Sequence, residues 1–171
     1  MRDRTMLDIR LCGGDDQADV ARMNRAMDLF YNPAIEPSPA GDVIGLLQRI
    51  EADPELGTQI ALARQDGEPV GIAFFALIHP GRRLGGVLFL KDLFVIEDAR
   101  GQGVGEALVR FLAAHARAKG IGRLDLTAEP HNAGAQRFYE RMGMVVRPAI
   151  YYRLEGEALV ALTAEAQAPS G

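Results

Sequence analysis

The stretch VLFLKDLFVIEDARGQGVGEALVRFL, residues 87–112, decides the fold that the sequence predicts. A strand is predicted over Val87–Val95, followed by a glycine-rich turn over Arg100–Gly105 and a helix with apolar residues at helical spacing. A turn that opens a helix directs unpaired backbone N–H groups at one point, where the positive end of the helix dipole also lies. Its glycines allow close backbone approach, and its arginine offers a cationic fork. The stretch therefore predicts a phosphate-binding loop.

The spacing of the glycines distinguishes between kinds of phosphate loop. A dinucleotide fold needs G-x-G-x-x-G or A, but the third position here is Glu106 or Leu108, and the P-loop pattern is also absent. The pattern that fits is R-x-x-G-x-G at Arg100, Gly103 and Gly105. This pattern resembles the acetyl-coenzyme A (acetyl-CoA) signature of the GNAT superfamily of N-acetyltransferases.

A second motif supports this resemblance. The sequence NAGAQRFY, Asn132 to Tyr139, is followed by ERMGM and is similar to the next motif of the superfamily, with an Asn that opens a helix and a Tyr seven residues later. The two motifs occur in the order that the family has. The resemblance covers roughly residues 59–155 and is vaguer in the first third of the chain.

Composition limits the partners that are expected. With 171 residues, of which 48% are hydrophobic, the chain is expected to form one domain over residues 1–171, with a frayed tail at about 164–171. A net charge of −4 indicates no nucleic-acid partner. The first ten residues lack an apolar leader, and the longest apolar run, Ile72 to Ile78, is too short to span a bilayer. We therefore expect no membrane partner and a soluble, cytoplasmic protein.

The single cysteine, Cys12, excludes an internal disulfide framework, and no Cys/His cluster has the spacing of metal ligands. No metal is therefore expected. A nucleophilic role for Cys12 is disfavoured because no histidine lies near it in sequence, and a small core or surface residue is the simpler interpretation.

Periodicity and turn residues predict the remaining elements. Further strands are expected at Thr5–Leu11, Thr58–Arg64, Glu68–His79, Arg123–Ala128, Met144–Val146 and Ala149–Leu154. Helices are expected from Asp15 or Asp16 to Tyr31, over Gly41–Ala52, from the glycine-rich turn to about Lys119, and from Asn132 to about Met142. The fold class is α/β in the GNAT arrangement: a mixed, mostly antiparallel sheet of roughly six or seven strands, about four flanking helices, and a splayed central pair of parallel strands.

Two apolar stripes are expected to pack in the core. On the first helix the stripe consists of Val20, Met23, Met27 and Phe30. On the helix after the glycine-rich turn, His115 falls along the apolar stripe of that helix. The preferred interpretation is a half-buried histidine that makes a hydrogen bond.

The resemblance to the GNAT family implies a cofactor site. The central strand of that fold carries a bulge, diverges from the next strand and pairs with the pantetheine arm of CoA, here through Leu93, Phe94 and Val95. The pyrophosphate lies on backbone amides, and Arg100 lies nearby. Those amides belong to Gly101, Gln102, Gly103, Val104, Gly105 and Glu106. Asn132 would hydrogen-bond the amide arm of the cofactor.

Acyl transfer to an amine needs a neutral amine, an oxyanion donor and a proton for the departing thiolate. Tyr139 is the best acid, since a phenol with an ordinary pKa of about 10 stays protonated at neutral pH. Its alternative role is to anchor its helix by packing. An N–H near Leu93 would be the oxyanion donor. The base is open: Asp92 through a water, Glu97, Glu129, or an amine that arrives already deprotonated.

The acceptor is predicted from Lys91 and Asp92. Spermidine/spermine acetyltransferases have two successive acids at the matching place, and this chain has lysine as the first. Successive strand residues point to opposite faces, so both side chains can face the cleft only if a bulge lies between them. An inward Asp92 would hold an amine, and an inward Lys91 would favour a carboxylate or phosphate. An amino acid, amino sugar or aminoglycoside-like amine is expected to outperform spermidine.

The predicted function is therefore acetyl-CoA-dependent N-acetylation of a small-molecule primary amine by direct attack on the thioester. Two alternatives stay open: acetylation of a peptide N-terminus or lysine side chain, and a catalytically idle CoA-binding module. The late strand Ala149–Leu154 offers an edge that a homodimer could use.

Overall fold

The computed structural model describes residues 6–79 and 85–166. The chain divides into two compact units, Met1–Asn132 and Ala133–Gly171, which are described separately. The single domain over residues 1–171 stays a prediction. The part of the predicted tail beyond residue 166 lies outside the described residues. No helix in the described ranges is both long enough and apolar enough to cross a membrane.

The first unit is built on one five-stranded sheet with the strand order β1-β2-β3-β4-β5. The first four strands form an antiparallel meander, and β5 pairs parallel to β4. The strands are β1 Leu7–Leu11, β2 Thr58–Gln65, β3 Glu68–Ile78, β4 Val87–Val95 and β5 Leu124–Leu126. The predicted mixed, mostly antiparallel architecture is confirmed, although β5 is shorter than the expected Arg123–Ala128.

The sequence predicts a tight turn at Gln65, Asp66 and Gly67 between β2 and β3, and the structure has the turn at the last two of these residues. Asp66 and Gly67 have φ angles of 52° and 89°. Two successive residues with positive φ match the twist of antiparallel strands, and Asp-Gly is a favoured pair for such a turn. The turn fixes the register of β2 against β3.

Three helices cover this sheet: α1 Gln17–Tyr31, α2 Ala40–Ala52 and α3 Val104–Ala118. Side chains alternate between the two faces of β3. Ile72 joins the core beneath α1, while Phe75 contacts His115 of α3 with ring centroids 5.7 Å apart. A Cβ on Gly71 would lie 2.9 Å from Leu108 and from Val104. The glycine therefore lets the first turn of α3, and the loop before it, lie directly on the sheet.

The core beneath α1 confirms most of the predicted stripe. The buried cluster consists of Val20, Met23, Met27, Ile60, Leu62, Ile72 and Phe94. Phe30 is the exception, because it is 51% exposed. It lies in the last turn of α1, where the helix reaches the end of the core, so the prediction that it packs inside was wrong.

The start of α1 is fixed by a buried carboxylate. Asp15 or Asp16 is expected to cap the helix; Asp16 occupies the cap position, but the Asp16 side chain makes no cap hydrogen bond to α1. It accepts instead from the backbone N–H of Gly13 at 2.9 Å, from both terminal nitrogens of Arg10 and from Arg64 at 2.8 Å. The Asp16 side chain is only 3% exposed. This network ties α1 to β1 and β2.

The surroundings of Asp16 lower its pKa. Burial raises the pKa, but the Gly13 hydrogen bond, the Arg10 hydrogen bond and the charges of Arg10 and Arg64 outweigh burial and bring the pKa below the usual value. A carboxyl group with a lowered folded-state pKa stabilises the fold above its unfolded pKa, and this stabilisation is lost as the pH falls through the folded value.

Replacing Asp16 with Asn should lower the free energy of unfolding at pH 7 by about 2 to 4 kcal/mol, because Arg10 loses its carboxylate and the partly buried Arg64 keeps only Asp19 as a charged partner. The matched control is Asp15→Asn at the exposed neighbouring position, with an expected change of about 0.5 kcal/mol or less. Urea denaturation of both variants and the parent measures the effect. The difference between Asp16→Asn and the parent should shrink below about pH 4; a difference independent of pH would contradict the ion-pair role.

The second unit contains α4 Ala133–Arg141 and α5 Gly156–Ala166. The strands predicted at Met144–Val146 and Ala149–Leu154 are wrong for the described residues, which form no strand there. Val145, Val146, Ile150, Tyr151 and Tyr152 are all exposed. A short apolar run forms a strand only where another strand supplies ladder hydrogen bonds, and residues 133–166 of this unit contain none. The homodimer stays a prediction without this strand edge.

The helix α5 was absent from the sequence-based expectations. Its sequence, GEALVALTAEA, consists largely of alanine, leucine and glutamate, which have high helix propensity. Its last residues, 164–166, overlap the predicted tail. Propensity alone was the signal that could have predicted it.

Candidate active site

The central strand β4 contains a β-bulge. Its partner strand β3 pairs Phe74 with Asp92 and Phe75 with Leu90, so Lys91 has no opposite residue. An extra residue in one strand bends that strand and changes the direction of its side chains. The bulge that the family resemblance implied is therefore present, and it lies at Lys91.

Beyond the bulge, β4 parts from β5. The parallel pairing covers only Leu88–Leu90 against Leu124–Leu126. From Lys91 to Val95, the edge of β4 that faces β5 has no strand partner among the described residues. Backbone groups along such an edge can hydrogen-bond an extended ligand as another strand would. Leu93, Phe94 and Val95, the residues predicted to bind the pantetheine arm, lie on this edge.

The glycine-rich loop follows a short 3-10 turn at Glu97–Ala99. Gly101 and Gly103 have φ angles of 74° and 84°, which side chains rarely adopt. A Cβ on either glycine would meet no heavy atom within 4 Å, so the space beside the loop is open. The loop conformation, not crowding, requires glycine at these positions.

The loop ends at the start of α3, where backbone donors are available. The first intrahelical bond runs from the Ala107 N–H to the Gly103 carbonyl. The N–H groups of Val104, Gly105 and Glu106 precede it and have no helical acceptor. With the positive end of the α3 dipole, they form a site suited to a diphosphate. The geometry of the loop therefore fits the pyrophosphate of CoA.

Two side chains of the loop anchor it to neighbouring elements. The Nε of Arg100 donates to the Val95 carbonyl at 2.9 Å, and its guanidinium carbon lies 4.2 Å from the centroid of the Phe30 ring. Gln102 donates to the Asp98 carbonyl at 2.7 Å and accepts from Gln65 of β2 at 3.2 Å. The loop is thus attached to α1, β4 and β2.

The bulge brings Lys91 and Asp92 together. The Lys91 Nζ lies 3.0 Å from the Asp92 Oδ2, and the side chains are 73% and 33% exposed. The sequence left open which of the two would face the cleft. Because the bulge removes the strict alternation of the strand, the two charged groups converge on one place.

Tyr31 shares the electrostatic environment of Asp92. Burial raises the pKa of Tyr31, the charge of Asp92 raises it further, and Arg100 lowers it. The Tyr31 ring lies edge-on to Phe30, with centroids 5.1 Å apart. The sequence predicted no site role for Tyr31 and placed Phe30 in the core; the available signal was a pair of aromatic residues at the end of a helix, directly before a proline-rich segment.

Cys12 and His115 have side chains capable of chemistry, but their surroundings indicate structural roles. Burial, and next the charge of Asp16, raise the pKa of the Cys12 thiol to about 12, so the thiol is not ionised at neutral pH. His115 contacts Gln59 at 3.2 Å and stacks on Phe111 with centroids 6.4 Å apart. The half-buried, hydrogen-bonded histidine predicted from the helical stripe is confirmed.

The remaining predicted residues lie around α4. Asn132 is the last residue of the first unit, its backbone N–H donates to the Glu129 carbonyl, and α4 begins directly after it. Tyr139 lies on α4, in the second unit, with its ring 5.0 Å from that of Phe138. The binding role of Asn132 and the acid role of Tyr139 stay predictions.

Comparisons with known proteins identify the family. A family model described as "Acetyltransferase (GNAT) family" matches residues 23–144, more than half of the chain. Glucosamine 6-phosphate N-acetyltransferase 1 of Oryza sativa subsp. japonica is 36% identical over 154 residues, covering 82% of this chain and 91% of that protein. The chain belongs to the GNAT acetyltransferase family.

Solved structures agree on the fold. An integron cassette protein from the mobile metagenome of V. cholerae has a TM-score of 0.79 and 28% identity, covering 92% of this chain and 97% of its own. An aminoglycoside N-acetyltransferase in complex with CoA has a TM-score of 0.72 and 19% identity, covering 91% and 99%. The predicted GNAT fold is confirmed, and the protein is an acetyl-CoA-dependent N-acetyltransferase.

Acetyl-CoA should raise the melting temperature, because a ligand that binds only the native state stabilises it, by about 2.7 kcal/mol at 100 times its dissociation constant. Gly103→Val should remove this shift, since valine is strained at positive φ and would project into the open space beside the loop. Thermal scans with and without the cofactor measure the shift.

The matched control is Gly120→Val. Like Gly103, Gly120 has a positive φ, 74°, and open space around it, but it lies at the far end of α3. This variant should lose stability yet keep the shift. A melting point that responds to adenine or nicotinamide nucleotides and not to CoA would contradict the assignment of the loop.

Proposed function

We propose that this enzyme acetylates the primary amine of a small cytoplasmic molecule that also carries an anionic group, such as an amino acid or a phosphorylated amino sugar. The observation that carries the proposal is the convergence of Lys91 and Asp92 at the bulge of β4. An aspartate suits an ammonium group, and a lysine beside it suits a carboxylate or phosphate.

The exposure of Lys91 and Asp92 supports the proposal that a ligand replaces their ion pair. An ion pair as exposed as Lys91 and Asp92 contributes at most about 1 kcal/mol. A ligand that carries one positive and one negative group can therefore form an ion pair with each side chain, and the free energy lost with the internal pair is small. A polyamine supplies only cations, so it leaves Lys91 facing like charge. The likeness of the β4 pair to that of diamine acetyltransferases therefore extends to Asp92 alone.

A relative supports the same chemistry. The rice protein that is 36% identical is named for glucosamine 6-phosphate, which carries an amine and a phosphate.

A cavity of about 150 Å³ at the end of α1 offers further polar groups for an acceptor, lined by Asp28, Asn32, Ile35, Glu36, Pro37 and Ser38.

The residues of the chain have distinct proposed roles in direct transfer. Acetyl-CoA, when bound, supplies the acetyl thioester. The open edge at Leu93–Val95 would hold the pantetheine arm, and an N–H near Leu93 would stabilise the oxyanion. Asn132 would bind an amide of the arm. The amides of residues 101–106 and the side chain of Arg100 would lie at the pyrophosphate.

Proton transfer completes the proposed reaction. As the amine nitrogen bonds to the acetyl carbon, Asp92 would accept the amine proton through a water. As the carbon–sulfur bond breaks, Tyr139 would give its phenolic proton to the sulfur. The products are an amide and a thiol, and no covalent enzyme intermediate forms.

Tyr139→Phe should lower kcat by roughly 10- to 1,000-fold with little change in cofactor affinity, because the variant lacks only the acidic proton. The matched control is Tyr152→Phe, at an exposed tyrosine of the same unit, and it should retain parental kcat. Released thiol measures the rate. An unchanged kcat for Tyr139→Phe would limit this residue to packing.

An amine panel should rank amino acids and phosphorylated amino sugars above spermidine by kcat/KM. Lys91→Met should raise KM for the anionic acceptors by roughly tenfold, because one charge-assisted contact is lost. The control is Lys119→Met, which changes the same residue type at the end of α3.

Spermidine as the best substrate, with no improvement in Lys91→Glu, would defeat the acceptor proposal. A peptide that outperforms every small amine would favour a peptide acetyltransferase. Cofactor binding without turnover of any amine would indicate a CoA-binding module.

A further inference from the structure

The side chain of Arg100 links the glycine-rich loop to the end of α1. Its guanidinium carbon lies 4.2 Å from the Phe30 centroid and 5.8 Å from that of Phe94. The two rings contact each other, with centroids 5.8 Å apart. The ring face of Phe30 and the Val95 carbonyl therefore both contact the guanidinium of Arg100. Arg100 is the first residue of the loop.

This arrangement explains why Phe30 is exposed when the rest of its stripe is buried. A phenylalanine at the surface loses hydrophobic stabilisation, but its ring face attracts an arginine by a cation–π interaction. Arginine is suited to this contact because its guanidinium is planar and can donate a hydrogen bond while it stacks.

The loop itself needs such an anchor. It contains Gly101, Gly103 and Gly105, and glycine loses more backbone freedom on ordering than any other residue. A loop that is already ordered binds its ligand more tightly, because less of the ordering cost falls on the binding step. An attachment at Arg100 fixes the end of the loop where it leaves β4.

We propose that Phe30 is a positioning residue of the cofactor site, which acts through Arg100 to hold the loop in the conformation that binds the pyrophosphate. Phe30 belongs to α1, and its neighbour Tyr31 shares the environment of Asp92, the residue proposed to hold the acceptor amine. The contact thus connects the helix that carries Tyr31 to the proposed cofactor loop. This inference rests on the proposed function, since it assumes that the loop binds CoA.

A double-mutant cycle with CoA as the probe tests the proposal. Calorimetry would give the dissociation constant for the parent, Phe30→Leu, Arg100→Met and the double variant. Phe30→Leu should weaken CoA binding about three- to tenfold. In the Arg100→Met background the same change should have almost no effect, because the partner through which Phe30 acts is missing.

Two further variants distinguish positioning from general packing. Phe30→Tyr keeps the aromatic face and should restore parental affinity, which a purely hydrophobic role does not require. Phe111→Leu removes an aromatic ring that stacks on His115 of α3, and it should leave CoA binding unchanged. Circular dichroism of each variant checks that the fold is retained.

Parental CoA affinity in folded Phe30→Leu would overturn the inference while leaving the proposed function intact. The same conclusion follows if Phe30→Leu has its full effect in the Arg100→Met background. Failure of the unsubstituted protein to bind CoA would instead overturn the cofactor assignment itself and this inference with it.

Discussion

The pairing of β3 with β4 is the interaction on which the site depends. Because Phe74 pairs with Asp92 and Phe75 with Leu90, Lys91 is forced out as an extra residue. The resulting bend ends the contact with β5 after Leu90, and it also places two opposite charges side by side. One irregularity in hydrogen bonding thus opens the edge proposed for the cofactor and forms the charged pair proposed for the acceptor.

The helix α1 is attached to the sheet at both of its ends, by different chemistry. At its start, buried Asp16 binds Arg10 and Arg64. At its end, Phe30 lies against Arg100, which belongs to the loop. Between these two attachments the helix is held by apolar packing. Fixing both ends of a helix limits how far its last turn can move. That turn carries Tyr31, whose pKa is raised by burial and by the charge of Asp92.

Much of the fold follows from local chemistry. The Asp66-Gly67 turn, the alternating strands and the glycine pattern before α3 depend on preferences of neighbouring residues, and the structure has each of them. The loop glycines are informative because a positive φ, as at Gly103, restricts the residue type in any context. The predictions that failed concern segments whose structure depends on distant partners, as with Met144–Val146, Ala149–Leu154 and Phe30.

The sequence by itself indicated the family, the glycine-rich loop before α3 and the mixed, mostly antiparallel sheet, since these depend on spacing and on conformations that only glycine favours. Tertiary structure decided three things: the position of the bulge at Lys91, the exposure of Phe30 beside Arg100, and the absence of strands after α4 in the described residues. The physical reason is common to all three. A strand register, a cation–π contact and a ladder hydrogen bond each require a partner far away in sequence. The spacing of residues within one segment does not identify that partner.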